Sequence, residues 1–255
     1  MSYVSYQLSG NLSVQSDIGV LLPTYREAEN IERLIDEIES LPLMTSILVV
    51  DDSSPDGTAE IVKEMQKRRR NILLCCRPRK EGLGTAIRDG FKIFLSLTSP
   101  PKNVVTMDAD YSHNPKAIPR FLSEMQSNCA IIVGSRYCKG GETAGWPFTR
   151  RFLSRTANLL ARSAVGLKLS DCTSGFRCYS TDFLKSVAQS LRSQSYEIQI
   201  EILREALSGG FEIREMPISF VNRKRGRSKL SSGELWGYIS YALKLDMFLR
   251  PRKQG

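Results

Sequence analysis

The sequence predicts an α/β fold, an open and mostly parallel sheet flanked by helices, and three features of the chain predict it. Continuous apolar runs recur that suit strands covered on both faces. Each is followed by proline, glycine or short polar residues that turn the chain. Each turn then leads into apolar residues at helical spacing. Strand and helix therefore alternate, which calls for right-handed crossovers and places the ligand crevice at the carboxyl ends of the strands.

The first unit is the run Ile18-Gly19-Val20-Leu21-Leu22, then Pro23-Thr24-Tyr25, then a helix whose Ile31, Leu34, Ile35 and Ile38 repeat at i, i+3, i+4 and i+7. A second strand, Ile47-Leu48-Val49-Val50, ends in Asp51-Asp52-Ser53-Ser54-Pro55-Asp56-Gly57-Thr58, a turn and helix cap ahead of Ile61, Val62 and Met65. A third, residues 71–77, passes through Gly82-Leu83-Gly84 into a helix bearing Ala86, Ile87, Gly90, Phe91 and Phe94. Asn103-Val104-Val105-Thr106 then leads into Met107-Asp108-Ala109-Asp110-Tyr111-Ser112-His113, and Ala130-Ile131-Ile132-Val133 delivers Gly134-Ser135-Arg136-Tyr137 to the same rim. Last comes the strand-like Met216-Pro217-Ile218-Ser219-Phe220-Val221.

With 255 residues, 41% apolar and 25% charged, the chain suits one main domain. Its net charge of +9 favours an anionic partner without choosing among nucleic acid, anionic lipid and phosphorylated substrate. Residues 1–17 are polar and lack the apolar core of a secretion signal, and no later segment approaches the run of about 20 apolar residues that spans a bilayer. Neither secretion nor membrane spanning is expected. None of the six cysteines forms a Cys-x-x-Cys pair, and adjacent Cys75 and Cys76 would face opposite ways on a strand, so they are expected to pack as small apolar side chains in a reducing cytosol. The single histidine, His113, cannot build a multi-histidine metal site and is expected to cap or orient the loop after the aspartates. Arg68-Arg69-Arg70 reads as a solvated helix end.

The chemistry concentrates in the acids. Asp108 and Asp110 share one strand face at its exit, where both can approach a hard divalent cation whose other ligands are phosphate oxygens and water. Asp51 and Asp52 end another strand, so all four carboxylates are expected on one rim, a nucleoside at one strand end and a metal-bound diphosphate at the next. Arg136 could pair with phosphate through a two-pronged contact, or be an ordinary surface charge. The loop Asn222-Arg223-Lys224-Arg225-Gly226-Arg227-Ser228-Lys229 carries five cations in seven positions and could close over phosphates. It lacks the aromatic residues that stack on bases. From Glu234 onward an aromatic-rich apolar helix ends in Arg250-Pro251-Arg252-Lys253, and a second helix at residues 150–160 shares its basic and apolar character. Either suits a membrane interface or the domain core. Two such helices beside an anionic site suggest a polyprenyl phosphate.

These residues resemble the dolichyl-phosphate mannosyltransferases among the family 2 glycosyltransferases of GT-A fold, over roughly positions 18 to 235. The likeness rests on Leu22-Pro23-Thr24-Tyr25-x-Glu27, Val50-Asp51-Asp52-x-Ser54-Pro55-Asp56-Gly57-Thr58, Gly82-Leu83-Gly84-Thr85-Ala86, Met107-Asp108-Ala109-Asp110-x-Ser112-His113-x-Pro115, Gly134-x-Arg136-Tyr137, Ser154-Arg155-x-Ala157-Asn158 and Pro217-Ile218-Ser219-Phe220-Val221-x-Arg223. Ser53 stands where some relatives have glycine, and Ser174-Gly175-Phe176-Arg177 replaces their Gly-Ser-Phe-Arg.

The resemblance implies that Pro23, Tyr25, Glu27, Val50 and Asp52 hold the nucleoside of GDP-mannose. Asp108, Ala109 and Asp110 would meet its diphosphate, with Mg²⁺ or Mn²⁺ on Asp108, Asp110 and Ser112. Arg136, Arg223 and Lys229 would contact donor phosphates or mannose, with Arg150 and Arg155 toward the acceptor, dolichyl or another polyprenyl phosphate. It further implies a short form without transmembrane helices, peripheral on the cytoplasmic face of a membrane and in some organisms dependent on small membrane subunits. The chain then divides into a polar tail (1–17), a catalytic domain (18–230) and an amphipathic helix with a basic tail (231–255). No nucleic-acid partner is expected.

The expected reaction is inverting transfer of mannose from GDP-mannose to the lipid phosphate. UDP-glucose as donor is the nearest alternative. An NAD-dependent oxidoreductase is opposed by Ile87, which occupies the third glycine or alanine position of a dinucleotide fingerprint. A nonenzymatic module gripping anionic lipid or nucleic acid leaves the rim acids unexplained.

Overall fold

The computed structural model describes residues 6–12, 16–125, 129–166 and 168–221. In chain order the elements are β1 (Gln7–Gly10), β2 (Ile18–Thr24), α1 (Ile31–Glu39), β3 (Ser46–Asp51), α2 (Thr58–Gln66), β4 (Ile72–Cys76), α3 (Leu83–Ser96) and β5 (Asn103–Thr106). There follow α4 (Ile118–Glu124), β6 (Cys129–Ser135), β7 (Glu142–Ala144), α5 (Phe148–Val165), β8 (Arg177–Ser180), α6 (Thr181–Val187), α7 (Ile198–Ser208), β9 (Glu212–Pro217) and β10 (Ser219–Val221).

Among the described residues the main sheet has eight strands in the order β1-β4-β3-β2-β5-β8-β6-β9. β2 pairs in parallel with β3 and β5, β3 with β4, and β6 with β9. β8 runs antiparallel between β5 and β6. The sheet is thus mostly parallel, as the alternation predicts, and the inserted strand is what the alternation misses.

Strand period decides which helices lie on which face. Val20 and Leu22 join one core with Ile31, Leu34, Ile35 and Ile38 of α1 and Val62 of α2. Leu21 points the other way, into a core with Phe91 and Phe94 of α3 and residues of α6 and α7. Cys75 and Cys76 divide between the two cores in the same way, and all six cysteines are free thiols. Close approach of α3 requires Gly90, where a Cβ would lie 2.4 Å from Leu21 Cδ1.

Three sequence expectations need correction. Residues 7–10, inside the stretch read as a polar tail, form the antiparallel edge strand β1, held through Ser9 and Gln66 rather than by apolar periodicity. The 216–221 strand is two strands, for β9 follows β6 while β10 pairs with β7 in a separate two-stranded sheet. Arg69 of the basic triplet is not merely solvated, since it bridges Asp36 at 2.6 Å and Glu39 at 2.7 Å and braces the end of α2 against α1.

Candidate functional site

The carboxyl ends of β2, β3 and β5 enclose a cleft lined by Pro23, Thr24, Tyr25, Glu27, Asp52, Lys80, Gly82, Leu83, Ala86, Asp108, Ala109, Asp110 and Tyr196. Most residues expected to hold the donor are in this group. Each of the three strand-end loops carries one non-glycine residue at positive φ: Arg26 at 58°, Ser53 at 51° and Tyr111 at 62°. Left-handed backbone is uncommon outside glycine, and its concentration here matches the tendency of such conformations to gather at functional loops. Position 53 is one of them; Ser53 Oγ donates to the Arg77 carbonyl at 2.6 Å.

The β2 and β3 loops are tied into one frame. Ser54 Oγ accepts the Arg26 N–H, Thr58 Oγ1 accepts that of Glu27, and Asp56 accepts that of Ala28. Burial would raise the Asp56 carboxyl, but the bonds from Thr58 and Ala28 hold it below the usual carboxylate range. Tyr25 stands at the cleft with the Lys80 ammonium 4.6 Å from its ring centre. Glu27 is buried and accepts from Asn30 Nδ2 at 2.9 Å.

Asp52 faces the cleft but also works inward. It ion-pairs with Arg77, and its Oδ2 accepts the N–H groups of Glu81 and Gly82. Burial raises its carboxyl despite the cation beside it. One expectation fails here. Asp51 does not join the cleft; it is buried and accepts from Thr24 Oγ1, the Ser54 N–H and Ser54 Oγ, bracing the turn. The Val50 side chain is wholly buried in the core and is not among those that line the cleft.

Gly82 and Gly84 serve the protein's own backbone. A Cβ at Gly82, where φ is +101°, would lie 2.5 Å from the Gln194 carbonyl, and one at Gly84 would lie 2.6 Å from the Ser193 carbonyl. The 193–195 segment fills the space above α3 and brings Tyr196 to the cleft, so the glycines need no dinucleotide to explain them. Tyr196 lies far along the chain from the acids, and no spacing rule signals it.

After β5, Asp110 is buried and its Oδ1 accepts the Ser112 N–H at 3.0 Å, while the Asp108 side chain is 42% exposed. His113 orients this loop as expected: its Nδ1 accepts the Asp108 N–H at 3.1 Å, and its ring stacks on Phe176 with centres 5.0 Å apart. Burial pushes the imidazole down to about 4, with Arg136 pushing the same way and Asp110 and Asp171 opposing. It is therefore neutral near pH 7. Gly175 leaves room for Asp108, since a Cβ there would sit 3.3 Å from Asp108 Oδ1.

Among the described residues no three histidine, cysteine or acidic side chains gather as a metal site. Asp108 and Asp110 offer hard oxygen donors, so they fit a Mg²⁺ or Mn²⁺ whose remaining positions are filled by phosphate and water. The Ser112 side chain is buried, and its hydroxyl has no hydrogen-bond partner among the described residues.

The β6 end differs from both sequence readings of Arg136. It is neither a surface charge nor a free phosphate fork, because Nε and Nη2 hold Asp171 at 2.7 and 2.8 Å and Nη2 also donates to Thr173. Burial alone would raise Asp171, yet the guanidinium and three backbone N–H donors hold it down at about 2. Sequence reading missed Asp171, since nothing in its local pattern marks a partner 35 residues away. Asn158 of α5 ties the same cluster, donating to Thr173 Oγ1 and accepting the Cys172 N–H at 2.7 Å. Arg150 stacks on Trp146 at 4.1 Å, and Arg155 lies over Tyr137 at 5.8 Å. Arg223, Lys229 and residues 231–255 lie outside the described residues. The last described residue, Val221, donates its N–H to the Ser112 carbonyl at 3.1 Å, so the chain runs toward the basic segment from beside the Asp108-Asp110 loop.

Comparison with known proteins gives a family and a fold. The family model described as Glycosyl transferase family 2 matches residues 19–188. The chain is 35% identical over 218 residues to the polyprenol monophosphomannose synthase of Mycolicibacterium smegmatis, spanning 85% of this chain and 82% of that one. It is 34% identical over 214 residues to the undecaprenyl-phosphate mannosyltransferase of Micrococcus luteus, spanning 84% and 87%. Among solved structures, glucosyl-3-phosphoglycerate synthase from Mycobacterium tuberculosis in complex with phosphoglyceric acid superposes with TM-score 0.65 at 19% identity, over 93% of this chain and 82% of that one. A mannosyltransferase from Pyrobaculum calidifontis in complex with GDP-Man and Mn²⁺ gives TM-score 0.55 at 14% identity, over 96% and 76%. At those identities the likeness concerns the fold, which is GT-A.

Proposed function

The chain belongs to glycosyl transferase family 2, and we propose that it transfers mannose from GDP-mannose to a polyprenyl phosphate such as dolichyl phosphate, with inversion at the anomeric carbon. The observation that carries this reading is the joining, in one cleft, of Pro23, Tyr25, Glu27 and Asp52 with the Asp108-Ala109-Asp110 turn. The first group suits a nucleoside and the second a metal-bound diphosphate. The polyprenyl-phosphate mannosyl enzymes to which the chain is similar supply the sugar and the acceptor class.

Asp108 and Asp110, with Ser112 beside them, would hold Mg²⁺ or Mn²⁺. That ion, bound to the donor, supplies positive charge against the leaving diphosphate. The protein's own part is orientation. Tyr25 and Asp52 fix the nucleoside end, and the neutral His113 holds the Asp108 backbone. Arg150 and Arg155 suit the acceptor headgroup. Arg136, already committed to Asp171 and Thr173, acts chiefly by holding the β6 loop. Arg223 and Lys229 would meet the donor phosphates from the segment that begins beside Ser112.

A phosphate oxygen of the acceptor attacks the anomeric carbon as the bond to GDP breaks, and GDP departs with the bonding electrons. No protein base is needed. A phosphate monoester with a second pKa of about 6 is already largely dianionic near pH 7. His113, the only imidazole, is buried, with Nδ1 occupied by a backbone donor.

A donor panel tests the reading: GDP-mannose, UDP-glucose and UDP-N-acetylglucosamine, each with a polyprenyl phosphate and Mg²⁺ or Mn²⁺. Lipid-linked mannose from GDP-mannose alone is expected, abolished by chelator and restored by added metal. A glycolipid formed only from UDP-glucose would overturn the substrate while leaving the site standing.

A further inference from the structure

In the main sheet β3, β2, β5 and β8 are successive neighbours. Because β8 runs antiparallel to β5, its start rather than its end meets the rim beside Asp108: Thr106 pairs with Arg177, and Thr106 Oγ1 donates to the Gly175 carbonyl at 2.8 Å. A nucleoside at the ends of β2 and β3, with its diphosphate at the end of β5, carries whatever lies beyond the diphosphate over the start of β8. The side chain waiting there is Gln199, in the first turn of α7. A Cβ built on Gly175 would lie 3.3 Å from Asp108 Oδ1 and 3.5 Å from Gln199 Nε2, so the carboxylate and the amide border one small space that the glycine leaves open. Gln199 is 2% exposed, and its Oε1 has no hydrogen-bond partner among the described residues.

That position is fixed from below. The buried Arg177 guanidinium donates to the carbonyls of Gln199 at 2.7 Å, Ser174 at 2.8 Å and Cys172 at 2.8 Å, which ties the start of α7 to the loop before β8. The Gln199 N–H donates to the carbonyl of Tyr196, which lines the cleft. A buried acceptor left without a donor costs about 1–3 kcal/mol, so an atom held in that state calls for a partner that arrives with the ligand. We infer that Gln199 reads the transferred sugar, its Oε1 accepting one hydroxyl of the hexose. The chemistry selects the sugar over the diphosphate, since a hexose hydroxyl donates and an ionised phosphate oxygen only accepts. The inference deepens the reading of a nucleotide sugar in this cleft and rests on it, but not on which hexose is carried.

The test is a cycle, run on the full chain with Mn²⁺, between Gln199→Met and donors that lack a single hydroxyl. Methionine keeps the length of the side chain and removes the acceptor. In the parent, kcat/KM should fall by about tenfold or more for one particular deoxymannose donor, the scale of one lost hydrogen bond that leaves a buried acceptor unpaired. Gln199→Met should lose a similar factor with GDP-mannose and lose nothing further with that same deoxy donor. Its affinity for GDP, which carries no sugar, should stay at the parent level, and this also shows that the variant is folded. A parent that treats every deoxy donor alike would overturn the inference, and that measurement needs no variant. A variant as active as the parent on GDP-mannose would do so too, as would a deficit repaired by raising Mn²⁺, which would assign the amide oxygen to water on the metal. If UDP-glucose proves to be the donor, the same cycle with deoxyglucose donors decides the role of Gln199, so the mannose reading can fall while this inference stands.

Discussion

At the ends of β2, β3 and β5 the chain leaves carboxylates facing a cleft, whereas at the end of β6 it brings an arginine to the rim and then neutralises it from within. Asp108 is 42% exposed, and Asp52 lines the cleft with its carboxyl raised by burial. Arg136 and Asp171 are buried together, and Asp171 is held at about 2. The first half of the rim turns its charge toward the cleft. The second spends it on geometry, since a buried pair fixes two loops and an α5 side chain in one arrangement. A charge at a strand end is therefore not by itself a binding group, and what lies opposite decides.

The largest effect should come from the half that keeps its charge. Asp110→Ala should lower turnover on the order of a thousandfold, the scale on which a preorganised charge-stabilising group acts, with the melting temperature little changed. Steady-state kinetics beside thermal melting would decide it, and unchanged turnover removes the metal assignment. In the other half the pattern should reverse. Asp171→Ala leaves the Arg136 guanidinium buried without its partner, which costs about 3–5 kcal/mol of stability in denaturant unfolding. Stability unchanged in that variant would mean that the second half is not a structural lock.

A smaller effect should separate backbone fit from ligand binding. Gly84→Ala forces a Cβ within 2.6 Å of the Ser193 carbonyl and should cost about 1–3 kcal/mol, as overpacking does, because the 193–195 segment must move. Tyr196 would move with it, so KM for the donor should rise as well. Rescue of stability by saturating donor would show that the two effects are linked.

The smallest is a pH effect at His113, where the two halves meet. Its folded value of about 4 lies below the ordinary 6.5, so between those values the unfolded chain binds a proton that the native chain does not. Stability should fall as pH drops from 6.5 toward 4 and then level off for this group. Asp171 has the other window, contributing above its ordinary 3.8 and losing that contribution as pH falls toward 2. Melting curves of His113→Gln against pH should lose the upper window and keep the lower one.

Much of this was legible in order along the chain. The runs that became β2, β3, β4 and β5, the stripe of α1, and the two aspartates at the end of β5 are local patterns of period and turn chemistry. Arg136 was legible as a rim residue but not as a locked one, because Asp171 pairs with it only after β8 folds back between β5 and β6. β1 was missed for a related reason: its pairing depends on the β4 edge and on Gln66, not on its own four residues.

Helices α1 and α5 mark the boundary most sharply. Apolar residues at helical spacing predicted α1, the basic and apolar run at residues 150–160 predicted α5, and both formed. In α1 the stripe faces the sheet, because Ile31, Leu34, Ile35 and Ile38 meet the apolar side chains of β2 and β3 across one face. In α5 the polar residues Ser154 and Asn158 claim the inward side by hydrogen bonding to the Arg136 cluster, and Phe148, Phe152 and Leu159 are turned outward. By itself the sequence determined that there would be alternating strands and helices, with acids at the strand ends, since those follow from contacts a few residues long. Which stripe is buried, which charge is left for a ligand and which loop completes the cleft were decided by the tertiary structure, since each depends on partners tens of residues away competing for the same space.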